Sequence, residues 1–212
     1  KMGCGASKLI IAAGQHLCEF KSLLAARELA MTKKISLIVV FTLGLGLIFQ
    51  NSWGSFLSLG NPAPDFVVES GDNQKLTLSM LRGRVIVLFY ESKEVTRQNS
   101  ELKKELKHLY WAQPPDIKRD IFPLIVIDCS EASFLTSPLW KRKLNESSKK
   151  EGFVIYGDWT RKMAAEYRVK DGASNFVIID KRGIVRYEAT GKVARGQFDE
   201  IVKLIFALVQ AG

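Results

Sequence analysis

The chain has 212 residues, of which 47% are hydrophobic, and its formal net charge is +9. This is enough for a hydrophobic core, and it fits a single α/β domain with an additional segment. The basic residues lie among acids on predicted helix surfaces, with no recognition helix, zinc-ligand spacing or RNA-binding motif. The positive charge therefore does not indicate a nucleic-acid site.

An apolar segment follows two lysines near the beginning of the chain. Residues 31–49 read MTKKISLIVVFTLGLGLIF, which is the arrangement of a signal peptide. Extended from 35 to 59, the apolar segment is long enough for a transmembrane helix. Both interpretations carry residues 61–212 across the membrane, because the lysines stay on the cytoplasmic side. We expect 31–60 to be a signal peptide or an anchor plus linker, and the protein to be periplasmic or extracytoplasmic, secreted or anchored to the inner membrane.

The first 30 residues are unusual for an exported protein, because a signal sequence stands at the N-terminus. One interpretation makes Met31 the biological start and residues 1–30 an over-extended reading frame. The other makes them a helical cytoplasmic extension, since residues 17–29 have helical apolar spacing.

The globular part begins with two prolines that stiffen residues 61–66. Two short strands at 66–69 and 75–78 then predict a hairpin. Strand and helix patterns alternate after it, at 84–90, 95–111, 121–129, 138–150, 153–156, 159–167, 175–180, 184–190 and 198–209. This order predicts parallel strands joined by crossovers, then one antiparallel hairpin and a final helix.

Four short segments, together with this order, carry a resemblance to a known family. They are PDF at 64–66, GRV at 83–85, YRV at 167–169 and IDKRG at 179–183. Over residues 61–210 the chain resembles the thioredoxin-like redoxins. The resemblance implies a three-layer α/β/α sandwich with an N-terminal β-hairpin, preceded here by the N-terminal hydrophobic helix.

In that family the first core strand leads to a Cys-x-x-Cys at the start of a helix. The helix N-terminus lowers the pKa of the first thiol, and the second thiol resolves the mixed disulfide. The corresponding residues here are 95–98, and neither Val95 nor Gln98 is a cysteine. Ala173 stands where the family has a cis-proline, and it cannot supply that peptide. The resemblance therefore implies a degenerate redox site.

A narrower resemblance is to the YtfJ-like proteins, small periplasmic thioredoxin-like proteins of bacteria that also lack the cysteine pair. It is carried by the cysteine-free first helix, the polar connection after Asp128 and the segment VIIDKRGIV at 177–185. No catalytic residues are established for that group, so the resemblance assigns none here.

Three cysteines occur in the chain, and only Cys129 lies in the predicted globular part. It ends a predicted strand, and α/β folds place their sites at the carboxyl ends of parallel strands, so it is a candidate redox thiol. Asp128 and Glu131 would raise its pKa, and free cysteines are often small buried residues, which favours a structural role. The isolated histidines and the cysteine spacing predict no metal site or cofactor.

A charged loop occupies the position of the family's redox site. Its candidate binding residues are Glu91, Ser92, Lys93, Glu94, Thr96 and Arg97. With Thr96 or Ser92 capping the following helix, the loop could hold an anion or a peptide carboxylate. The alternative, which we favour, is that these charges are simply exposed to solvent.

Two functions remain from the sequence. The first is a non-enzymatic, redox-inactive protein that binds an envelope or membrane protein as an accessory subunit, with no cofactor. The second is an enzyme, a divergent redoxin that uses Cys129 as a one-cysteine peroxidase or thiol reductase.

Overall fold

The computed structural model describes residues 57–211 of the chain. The predictions for residues 1–30 and for the apolar run at 35–49 lie outside this range. Within it, no helix combines the length and the apolar character needed to cross a membrane.

Seven strands and five α-helices make up the described residues. The strands are β1 (Val67–Ser70), β2 (Lys75–Thr77), β3 (Val85–Glu91), β4 (Ile121–Asp128), β5 (Ile155–Asp158), β6 (Asn175–Ile179) and β7 (Val185–Thr190). The helices are α1 (Ser100–Ala112), α2 (Pro115–Asp120), α3 (Ser137–Glu151), α4 (Lys162–Glu166) and α5 (Phe198–Gln210). The predicted thioredoxin-like α/β fold with an N-terminal hairpin is confirmed.

All seven strands form one mixed sheet in the order β2-β1-β5-β4-β3-β6-β7. Strands β3, β4 and β5 are parallel, whereas β6 pairs with β3 in the antiparallel direction. The alternating sequence pattern predicts β6 as a further parallel strand, and this detail was wrong. The physical reason is the length of α4, because five residues of helix rise only about 7.5 Å. The chain therefore stays at the edge where β5 ends, and β6 starts there and runs back.

Two helix predictions also need correction. The first helix was predicted to begin at Val95, but α1 begins at Ser100, and the residues between are a series of turns. Helix α2 was not predicted, because two consecutive prolines, Pro114 and Pro115, usually indicate the end of the preceding helix. Pro115 stands in the first turn of α2, where its missing N–H leaves no hydrogen bond unmade.

The two faces of the sheet are covered differently. On one face, α4 and the hairpin cover a continuous core that includes Leu124 and Val126 of the central strand β4. On the other face the core is divided into two clusters, one under α1 and α5 and one under α3. On this face Pro123, Ile125 and Ile127 of β4 are only half-buried, and Ile125 and Ile127 pack against the cluster under α3.

Candidate functional site

One edge of the sheet collects most of the buried polar side chains. Strands β3, β4 and β5 end at this edge, and β6 begins there because it runs in the opposite direction. Glu91 and Asp158 close β3 and β5, and Ser174 directly precedes β6. All three are buried, with Glu91 only 1% exposed. The carboxyl ends of parallel strands are the usual place for a site in this class of fold.

Glu91 holds an ion pair beneath this edge. Its carboxylate oxygens lie 2.8 and 3.1 Å from the Nζ of Lys103, in the first turn of α1. The hydroxyl of Ser174 donates to the same carboxylate at 2.6 Å. A buried carboxylate is tolerated only when it is paired and hydrogen-bonded, and these two partners meet that requirement.

Asn99 connects this pair to a neighbouring loop. Its Nδ2 donates to the Ser174 hydroxyl at 3.0 Å and to the Gly191 carbonyl at 2.9 Å. Its Oδ1 accepts from the Val193 N–H at 2.9 Å. Asn99 is also the N-cap position of α1, so the predicted cap at Thr96 or Ser92 is wrong.

Two of the three degenerate redox positions, Gln98 and Ala173, lie at the same place. The Oε1 of Gln98 accepts the backbone N–H of Ser174 at 2.6 Å, although the two residues are 76 positions apart. Ala173 therefore lies next to Gln98, whereas Val95 is half-buried in the turns before α1. Residues 57–211 contain no cis peptide bond. Together, Glu91, Gln98, Asn99, Lys103 and Ser174 form what we call the polar network.

The charges of the predicted binding loop are partly neutralised within the protein. Lys93 pairs with Glu131 at 2.9 Å and with Glu94 at 3.5 Å, and the hydrogen bond to Glu131 raises the pKa of Lys93. A hydrogen bond from Ser92 lowers the pKa of Glu94. The Thr96 hydroxyl donates to the Lys93 carbonyl at 3.3 Å. Arg97, by contrast, is exposed and borders the cavity described below.

A second buried carboxylate, Asp158, organises the residues on the other side of the edge. It accepts hydrogen bonds from the Tyr90 hydroxyl at 3.1 Å, the Ala164 N–H at 3.0 Å and the Thr160 N–H at 3.3 Å. Burial, and then the charges of Asp158 and Asp128, raise the pKa of Tyr90. Tyr90 therefore remains a hydrogen-bond donor at all physiological pH values.

Asp158→Ala is expected to lower the free energy of unfolding by about 2–3 kcal/mol, measured by urea denaturation. The substitution leaves the buried Tyr90 hydroxyl and the Ala164 N–H without their acceptor. Tyr90→Phe is the matched control, because it removes only the donor and should cost about 1 kcal/mol. Equal losses in the two variants would contradict an organising role for Asp158.

Cys129 lies at the same edge but inside the smaller core cluster. Its side chain is fully buried, and it packs with Leu144 and Ile155. Burial, followed by the charges of Asp128 and Asp158, raises the pKa of Cys129 to about 12. The buried environment thus holds the sulfur as an uncharged thiol.

The space around this sulfur is also tightly limited. A Cβ atom added at Gly157 would lie 2.8 Å from the Cys129 Sγ and 3.0 Å from the indole of Trp159. Only glycine fits at position 157 without displacing these neighbours. The Cys129 sulfur is therefore packed closely against the backbone of Gly157.

Three members of the polar network, Asn99, Lys103 and Ser174, were not predicted as site residues. The one available signal was Glu91, a charged residue directly after six apolar residues of a buried strand. Such a position requires a cationic partner, but the sequence offers several lysines on the next helix and does not distinguish among them.

A protein-family model matches most of the described residues. The model described as the AhpC/TSA family matches residues 59–188. No curated protein matches the chain.

Solved structures with the same fold come from several bacteria. A Chlorobium tepidum protein provisionally assigned as the thiol:disulfide interchange protein DsbE has 19% identity and a TM-score of 0.53, covering 72% of this chain and 99% of its own. A peroxiredoxin-like protein from Aquifex aeolicus has 19% identity and a TM-score of 0.53, covering 73% and 90%. An exposed lipoprotein thioredoxin from Streptococcus pneumoniae has 17% identity and a TM-score of 0.50, covering 68% and 100%.

Proposed function

Because the chain belongs to the AhpC/TSA family, we propose that it is a redox-inactive member of that family, exported from the cytoplasm, that binds another protein of the cell envelope as an accessory subunit. The narrower likeness to the YtfJ-like proteins is part of this proposal.

The observation that carries the proposal is the polar network. Thiol–disulfide exchange needs an accessible thiolate whose pKa is lowered by its surroundings. Gln98 stands at a position of the family's cysteine pair, and its side chain is held by the Ser174 N–H. Cys129, the cysteine in the described residues, is buried and its pKa is raised. These features support a binding role rather than turnover.

Export is supported by the sequence and by the fold relatives. Residues 31–49 have the basic and apolar arrangement of a signal peptide or anchor. A Streptococcus pneumoniae thioredoxin with the same fold is named as an exposed lipoprotein. An extracytoplasmic location of this chain remains part of the proposal.

The proposed contact surface is an apolar loop between β4 and α3. Phe134 and Leu135 expose 93% and 85% of their surface, and Leu139 is also exposed. Ser133 and Thr136 bracket the pair: the Ser133 N–H donates to the Thr136 hydroxyl oxygen at 2.9 Å, and the Thr136 N–H donates to the Ser133 hydroxyl oxygen at 3.3 Å. Adjacent apolar side chains held outward in this way are typical of protein-binding sites.

A photo-crosslinking residue placed at Phe134 is expected to give a discrete adduct with an envelope protein in cells that make this protein natively. The full-length chain is used, and adducts are detected by immunoblot and identified by mass spectrometry. Met80 is the matched control, because it is a large apolar residue with 65% exposure that lies outside the loop.

The substitution pair Phe134→Ser and Leu135→Ser should abolish the adduct formed by a crosslinker at Leu139. Because both side chains are exposed, the free energy of unfolding should stay within about 0.5 kcal/mol of the parent. The proposal is contradicted if the adducts from Phe134 and Met80 are the same, or if the serine variants still crosslink.

A further inference from the structure

The structure contains a large cavity between α1 and α3 on the divided face of the sheet. Its volume is about 930 Å³, at the upper end of the range found for small-molecule sites. Its floor is formed by Val87 and Phe89 of β3 and by the half-buried Ile125 and Ile127 of β4. The floor is therefore apolar and only partly covered by protein.

The lack of cover is unusual because of where β4 lies. It is the central strand of the seven, with β5 on one side and β3 on the other. On its opposite face, Leu124 and Val126 are fully buried. A central strand bordered by parallel neighbours is normally covered on both faces. The exposed floor thus leaves apolar surface that a ligand would bury.

The sides of the cavity carry an excess of positive charge. Seven basic side chains line it, against the two acidic side chains Glu91 and Glu151. Lys103 and Lys107 pair with those two acids. Four of the other basic residues form no ion pair within residues 57–211; these are Arg97, Lys104, Lys143 and Lys150.

Three of these cations lie on the two helices that face each other across the floor, and Arg97 lies in the turns before α1. Lys104 is on α1, whereas Lys143, Ser147 and Lys150 follow one side of α3 at helical spacing. Like charges that face each other across a cleft repel, and an anion between them reverses that cost. The charge of the walls therefore selects for a negatively charged group.

The shape of the floor selects for the rest of the ligand. Lining residues of β4 extend from Ile121 to Ile127, which is about 20 Å of strand. The acyl chains of one bilayer leaflet reach about 15 Å, half of the hydrocarbon thickness. A long acyl chain fits this elongated apolar floor, and its headgroup would lie near the cations on the sides of the cavity.

We infer that this cavity binds a single-chain amphiphile with an anionic headgroup, of the long-chain fatty acid type. The acyl chain lies along β4 between α1 and α3, and the headgroup lies between the lysines of the two helices. This site is separate from the Phe134 loop, so binding of the amphiphile does not depend on the proposed partner.

The test uses dibromostearate as the probe, because its bromine atoms quench tryptophan fluorescence at short range. The full-length chain is held in nanodiscs of zwitterionic lipid and titrated with the probe. Trp140 lines the cavity, so the expected result is saturable quenching that disappears in Trp140→Phe. Probe dissolved in the bilayer also quenches the other tryptophans. This quenching remains in Trp140→Phe, and it is subtracted from the signal of the parent chain.

Three variants distinguish the contribution of the apolar floor to binding from that of the charged walls. Ile125→Phe enlarges a side chain of the floor without adding a tryptophan, and it should abolish the saturable quenching of Trp140. Lys143→Ala with Lys150→Ala should weaken binding about tenfold, since it removes two charge contacts. Lys149→Ala is the matched control, because it is an exposed lysine of α3 outside the cavity, and it should change binding less than twofold.

Three results would overturn the inference. The first is the absence of Trp140-dependent quenching in the parent chain. The second is equal binding of stearyl alcohol, which has the same chain but no charge. The third is binding that appears only after residues 35–49 are deleted, which would make the chain's own apolar segment the occupant.

Discussion

Lys103→Met is expected to lower the free energy of unfolding by about 3–5 kcal/mol, a large part of the stability of an ordinary domain. The substitution removes the cation that lies 2.8 Å from the Glu91 carboxylate. Glu91 is then a buried charge with the Ser174 hydroxyl as its remaining side-chain partner. The measurement is urea denaturation of the full-length chain, monitored by circular dichroism.

A second substitution distinguishes loss of the pair from loss of packing. In Lys103→Met with Glu91→Gln, the neutral amide still accepts the Ser174 hydroxyl, so most of the lost stability should return. Lys107→Met is the matched control on the same helix. Its pair with Glu151 is partly exposed, and removing it should cost less than about 1 kcal/mol. Equal losses for Lys103→Met and Lys107→Met would show that the polar network is not a stabilising unit.

Cys129 is expected to react with iodoacetamide about a thousandfold more slowly in the folded protein than in the denatured chain. The variant for this measurement carries Cys4→Ser and Cys18→Ser, so that Cys129 is the one remaining thiol. Burial, with the charges of Asp128 and Asp158, raises its pKa from 9.0 to about 12. A thiol is uncharged until it loses its proton, so this shift lowers the reactive thiolate at neutral pH about a thousandfold.

The same thiol decides between the proposed function and its rival. If the protein is redox-inactive, any turnover of peroxide or disulfide substrates by the full-length chain should be unchanged in Cys129→Ala. The stability of that variant is measured first, so that loss of fold is not mistaken for loss of a nucleophile. Rapid alkylation at neutral pH, together with turnover that Cys129→Ala abolishes, would favour the one-cysteine enzyme.

The strands of this fold could be predicted from the sequence because their signal is local. All seven residues of β3 are buried, and the first six form an unbroken apolar run directly before Glu91. The hairpin and the last helix were equally recognisable from their periodicity. The direction of β6 could not be predicted from the alternation of strands and helices, because it depends on the short length of α4.

The position of the site could be predicted from the sequence, but most of the side chains that form it could not. The resemblance to the redoxins placed Gln98 and Ala173 at the degenerate site, and the structure brings Gln98 into contact with Ser174. Lys103 was missed because several lysines on α1 have similar sequence surroundings, and only the packing of that helix selects one of them. The cavity was missed for a related reason. The half-burial of Ile125 follows from the separation of two helices, which no single segment encodes.

The crowding between Cys129 and Gly157 has a consequence for how this sequence can diverge. A methyl group at position 157 would meet both the Cys129 sulfur and the ring of Trp159. A larger residue at position 157 therefore requires the Cys129 and Trp159 side chains to move or to be replaced by smaller ones. The effect of a substitution at position 157 is therefore expected to depend on which residues occupy positions 129 and 159.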